Sequence, residues 1–84
     1  METITLNNGT VLDGHIMPNG DDRIIFVYLT GISLADGFAA FSNPANISTI
    51  TEINHGNEHI YRGYTELKAI DSEFGNCNIT LRKP

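Results

Sequence analysis

The chain has 84 residues, five basic and ten acidic, for a net charge of −5 at pH 7. That length makes one domain, near the lower limit for a core without staples, and the single cysteine, Cys77, excludes both an internal disulfide and a zinc knuckle. The acidic balance argues against a direct nucleic-acid partner, whose phosphates are met by Lys and Arg, and the longest unbroken apolar run, Ile24 to Leu29, is far too short to span a membrane.

The opening M-E-T-I-T-L has neither a basic start nor an apolar run, so no signal peptide is expected and the chain reads as soluble and intracellular. Without a secretory signal, the sequons at Asn8, Asn46 and Asn78 read as coincidence. Thr3 to Leu6 alternates, and Asn7-Asn8-Gly9 turns the chain. A two-residue Asn8-Gly9 loop and a three-residue loop with a bulge at Gly9 are both possible; the second is preferred because it sets Ile4 opposite Leu12. The second strand, Thr10 to Met17, then points Leu12 and Ile16 inward and Asp13 and His15 outward. Pro18 to Asp22 is an exposed turn by composition. The third strand, Arg23 to Leu29, is apolar on both parities and predicts cover on both faces, one from a helix and the other from a second sheet or subunit.

That helix starts at Ser33, an N-cap with Asp36 three residues on. Leu34, Phe38 and Phe41 recur at i, i+4 and i+7 and predict one buried face. Asn43-Pro44 ends it. Ser48 to Asn54 is β-branched and reads as a fourth strand of mixed parity, with Ile50 out of phase with Ile47 and Ile53. His55 to Glu58 is a tight turn. The fifth strand runs from about His59 to Ala69 with a bulge near Gly63, and Asp71 to Asn76 is a polar connection. Cys77 to Arg82 alternates, with Cys77, Ile79 and Leu81 inward. The order is βββ-α-βββ in a single domain spanning 1–84. It predicts an α+β, mainly β fold, a small β-sandwich or partly open barrel with one short helix packed on it.

Four groups of residues invite a chemical reading. His55-Gly56-Asn57-Glu58-His59 spells H-x-x-E-H, a zinc-peptidase motif that needs both imidazoles on one helical face. Gly-Asn between two strand patterns is hairpin composition instead. Cys77 could serve as a nucleophile, but it sits on the apolar parity of its strand, where a free cysteine acts as a small hydrophobe. Asp21 and Asp22 with Asp13 could meet a hard cation, yet the spacing is not that of a calcium loop and a solvated turn accounts for them. Tyr28, Tyr61 and Tyr64 with Arg62 have the composition of a contact patch, set against a core role for Tyr28 and one other tyrosine. No catalytic residue, cofactor site or metal site is assigned, and the chain is read as non-enzymatic.

The stretch Ile4 to Leu12, I-T-L-N-N-G-T-V-L, resembles the opening of short, functionally uncharacterised proteins encoded in the tail-gene region of phages and prophages of Gram-positive bacteria. The middle resembles them too: Ser33-Leu34 opening the helix, Phe41 closing it, Asn46 and Ile50-Thr51 leading a strand, and Glu58-His59-Ile60-Tyr61 before Gly63-Tyr64-Thr65. Such proteins often continue with a more helical segment where this sequence ends at Pro84. The resemblance implies a phage origin and a tail or baseplate accessory role, with a location in the bacterial cytoplasm or in the virion.

Charged residues are 18% of the chain, few for so small a monomer, and a strand apolar on both faces gains from a partner. The expected partner is therefore a protein, a second copy or another phage protein, with no nucleic acid and no membrane. Tyr61, Arg62 and Tyr64 are the expected contact residues. The rival expectation is a small acidic inhibitor of a host defence protein, of the anti-CRISPR kind, which requires the acids to gather on one surface.

Overall fold

The computed structural model describes residues 2–84. Seven strands and one helix follow in the order β1 (Thr3–Thr5), β2 (Val11–Pro18), β3 (Ile24–Thr30), α1 (Leu34–Phe41), β4 (Thr49–Asn54), β5 (Asn57–Arg62), β6 (Glu66–Glu73) and β7 (Asn76–Arg82). The βββ-α-βββ order holds, with the long fifth strand expected at 59–69 broken at Gly63 into β5 and β6. All pairs are antiparallel in one sheet of order β5-β4-β1-β2-β3-β7-β6. Among the described residues its two edges, β5 and β6, do not pair, so the sheet stays open.

The sheet is bent, and β2 is where it bends. Val11 to Asp13 pair with β1, whereas Gly14 to Pro18 pair with β3. The two halves meet at Gly14 because a side chain there has no room: an added Cβ would collide with the Tyr28 carbonyl oxygen and press on Leu29. Both halves turn their apolar parity to one core. Ile4, Ile16, Ile25, Val27, Leu29, Ile50, Cys77, Ile79 and Leu81 are buried there, with Phe41 from α1 and Ile47 and Tyr64 from connections.

The register of the first hairpin is the three-residue one: Ile4 pairs with Leu12, Leu6 N donates to Thr10 O at 2.8 Å, and Gly9 takes φ +89°. Asn7 then ties this hairpin to the segment after the helix, its N donating to Asn46 O at 2.8 Å and its Nδ2 to Ala45 O at 3.1 Å.

Two expectations about the strands are corrected. Among the described residues no second sheet covers the outer face of β3. Phe26 lies between Met17 and Thr80, and Tyr28 between His15 and Asn78, so long cross-strand neighbours half-bury that face. Asp71 to Glu73 belong to β6 rather than to a loop. A bulge between Leu67 and Ala69 restores the inward parity, so Leu67 faces Leu81 and Ile70 faces Ile79 despite their spacing of three.

The helix is seated differently as well. Ser33 caps it, Oγ accepting from Asp36 N at 3.1 Å, as the sequence predicts. Its buried residues, however, are Gly37 and Phe41, while Leu34 and Phe38 are 45% and 52% exposed. Gly37 causes this rotation. A Cβ there would lie 2.6 Å from Cys77 Sγ, so the bare backbone comes down onto β7 and carries Phe41 into the core.

This contact makes a signed prediction. Gly37→Ala overpacks the Cys77 contact and lowers stability by about 1–2 kcal/mol, although alanine is the better helix former. In a Cys77→Ala background the same substitution is neutral or stabilising by up to about 1 kcal/mol. Urea unfolding of the four proteins reads the difference; equal costs in both backgrounds would rule out the contact as the cause.

Candidate protein interface

The residues with chemical potential are dispersed by the fold. His55 and Gly56, at φ 52° and 79°, form the loop between β4 and β5, flanked by the Asn54–Asn57 pair. Two positive-φ residues make a type I′ hairpin turn. The H-x-x-E-H segment thus lies on a hairpin, with His59 opposite Glu52, and not on the helix that its chemistry needs. Asp21 organises its own turn, accepting from Arg23 N at 2.9 Å, and Asp22 offers its carbonyl oxygen to the Tyr64 hydroxyl at 2.7 Å. Asp13 is far along β2, opposite Thr3. Among the described residues no group of three or more His, Cys, Asp or Glu is placed to hold a metal ion.

Cys77 is fully buried beneath α1. Burial pushes its thiol above the ordinary range, and the charge of Asp71 adds to this. Both effects suppress the thiolate, the form a nucleophile needs.

Of the three expected contact residues, Tyr64 is a core residue. It is 9% exposed, its hydroxyl is bonded to Asp22 O, its ring meets Tyr61 edge-on at 6.2 Å between centroids, and Lys83 Nζ sits 4.8 Å from the ring centroid. These contacts fasten the turn at 18–22 and the C-terminal end to the sheet, together with the backbone bond from Lys83 N to Arg23 O at 2.8 Å. Tyr61 is half-buried on β5; burial, then the charge of Glu52, raises its hydroxyl above its ordinary value. Only Arg62 is fully on the surface.

The residues left outside are others. Leu34 and Phe38 project from α1, and Ile60 from β5 at 47% exposure. Phe74 is 94% exposed and, at φ 52°, occupies the left-handed region in the turn between β6 and β7. Thr30 pairs with Asn76, so this turn and the start of α1 lie at one end of the sheet. A shallow groove of about 390 Å³ runs over the outer face between His15, Met17, Tyr28, Thr30 and Asn78.

Among the described residues one charged side chain lies inside. Glu52 on β4 is 2% exposed, and its Oε2 accepts from Ile16 N at 2.6 Å. Gly14 N donates to Glu2 O at 3.2 Å; Ile16, two residues on and on the same side of β2, bonds the carboxylate where a strand would otherwise stand. By residue type Glu52 belongs on the surface. The signal that finds it is parity, since Ile50 inward places Glu52 inward too.

Set against protein-family models, curated proteins and solved structures, the chain matches none of them.

Two outcomes follow from these sites. Glu52→Gln retains an acceptor and costs about 1 kcal/mol, whereas Glu52→Leu strands the Ile16 N–H and costs about 2–3 kcal/mol in urea unfolding; a Leu variant as stable as the parent would contradict the bond's role. For Cys77 the folded thiol titrates above the unfolded one, so its contribution is complete below the unfolded value and is lost as pH rises past it. Stability therefore declines as pH rises through the ordinary thiol value of about 8.5, and the decline is shallower in Cys77→Ala; parallel profiles would exclude the thiol as its source.

Proposed function

We propose that the chain is a non-enzymatic interaction protein of a phage or prophage, an accessory component of the tail or baseplate that acts through protein–protein contacts. The source comes from the resemblance stated above. The mode of action rests on one observation, the apolar side chains left exposed on the β6–β7 turn and α1. Phe74 holds an aromatic side chain almost wholly in water, in a backbone conformation that costs a non-glycine residue roughly 1 kcal/mol. Asn or Gly serves such a turn better. An exposed aromatic at a strained position, with Leu34 and Phe38 also unburied on α1, is suited to anchor a partner.

The acidic-inhibitor reading gains nothing from the placement of the acids. Asp21 and Asp22 lie at one end of the β3–β7 ladder and Asp71 and Glu73 at the other, Glu52 is buried, and Glu66 is paired with Arg82. A nucleic-acid mimic needs its charges on one surface.

Phe74→Asn separates binding from folding. The variant folds and is as stable as the parent or more stable by up to about 1 kcal/mol, because Asn tolerates the left-handed region. Carried in the genome that encodes the chain, the parent co-sediments with purified particles and the variant does not. Parent protein missing from particles that are otherwise intact, or a variant retained in full, overturns this reading.

A further inference from the structure

We infer that two copies of the chain join edge to edge through β5, as an antiparallel pair centred on Ile60. This deepens the reading of the chain as an interaction protein and rests on it; it names a second copy as one partner and β5 as the surface.

The two edges of the sheet are not alike. β6 carries the bulge beside Lys68 and the charges of Glu66, Lys68, Asp71 and Glu73, features that discourage another strand from pairing. By contrast, β5 has no bulge, proline or lysine, and every residue from Asn57 to Arg62 except the half-buried Tyr61 is exposed. An edge of this kind is a template for pairing.

Its backbone direction is fixed by its inner neighbour. Gly63 N donates to Ser48 O at 3.1 Å, continuing the β4–β5 register. Hydrogen bonding alternates along an antiparallel pair, so Asn57, His59 and Tyr61 bond toward β4. Glu58, Ile60 and Arg62 therefore turn their N–H and C=O groups to the free edge.

The side chains select the partner. Glu58 and Arg62 stand two residues to either side of Ile60, on the same face and with opposite charge. In an antiparallel pair centred on Ile60, Ile60 meets Ile60 of the second copy, and Glu58 of each chain lies across from Arg62 of the other. His59 faces Tyr61 on the opposite side of the sheet. The pairing forms about six backbone hydrogen bonds, all from groups that now face solvent. It is self-complementary, as a two-fold interface must be. Among the described residues neither Glu58 nor Arg62 has an ion-pair partner within the chain, so both charges are available.

Light scattering on a sizing column tests this from about 1 µM to about 1 mM protein. The parent is expected to approach twice the 9.2 kDa chain mass as concentration rises. Glu58→Arg alone sets Arg against Arg, and Arg62→Glu alone sets Glu against Glu. Each is expected to weaken the dimer at least about tenfold. Mixing the two single variants matches every charge again and restores the dimer, as does the double variant Glu58→Arg/Arg62→Glu. Circular dichroism on each variant confirms that the fold is kept, since both side chains are on the surface. A parent that stays monomeric throughout, single variants that dimerise like the parent, or a mixture that fails to recover overturns the pairing. None of these outcomes bears on entry into particles, which Phe74→Asn reads separately.

Discussion

The structure depends on one hydrogen bond at a corner. A seven-stranded antiparallel sheet this small can bury its apolar face only by folding over on itself, and β2 makes the fold by changing partners at Gly14. The change leaves the Ile16 N–H on the inside of the bend without a strand to receive it. An unpaired N–H there costs about 1–3 kcal/mol, a large share of the stability of so short a chain. The Glu52 carboxylate receives it at 2.6 Å, reaching across from β4 in the other half of the sheet. A buried carboxyl side chain thus takes the place of a missing strand. With the corner fixed, the inward residues of β1, β3, β4 and β7 share one core, and α1 comes down on Cys77 to cover it.

The molecule also keeps edges. Among the described residues β5 and β6 stay unpaired on their outer sides, and the chain must manage each edge. It protects β6 with a bulge and mixed charges. It leaves β5 regular, with opposite charges disposed evenly about Ile60. The helix adds a second consequence. Seated through Gly37, it cannot also bury Leu34 and Phe38, and these stay outside. The exposed Leu34, Phe38 and Phe74 and the open β5 edge are therefore by-products of how the core is closed.

Local chemistry in the sequence was a good guide wherever neighbours in the chain are neighbours in space. Agreement of the Ile4 and Leu12 faces selected the hairpin register, Ser33 marked the start of the helix, and the alternation of Cys77, Ile79 and Leu81 marked the last strand and its inner face. What was not legible depends on distant partners. Glu52 is a surface acid by residue type, and only its carboxylate meeting the backbone of Ile16, 36 residues away, makes it internal. Gly37 looks neutral within an apolar stripe until Cys77 is placed beneath it. Tyr64 has the composition of an interface residue but is held inside by Asp22 and Lys83. The strand at Asp71 to Glu73 was hidden because a bulge breaks its alternation and its edge position makes it polar. Which strands are edges is likewise a property of strand order, and no stretch of sequence carries it.

Hydrogen exchange at the Ile16 amide reads the strength of this corner bond in the intact protein. If the Glu52 carboxylate holds the corner, this N–H opens only when the whole molecule unfolds. Its exchange free energy then equals the global unfolding free energy and matches the most protected amides of β3 and β7. An Ile16 amide that exchanges by local opening, at rates like those of the Pro18–Asp22 turn, would mean that the bend stands without the Glu52 carboxylate.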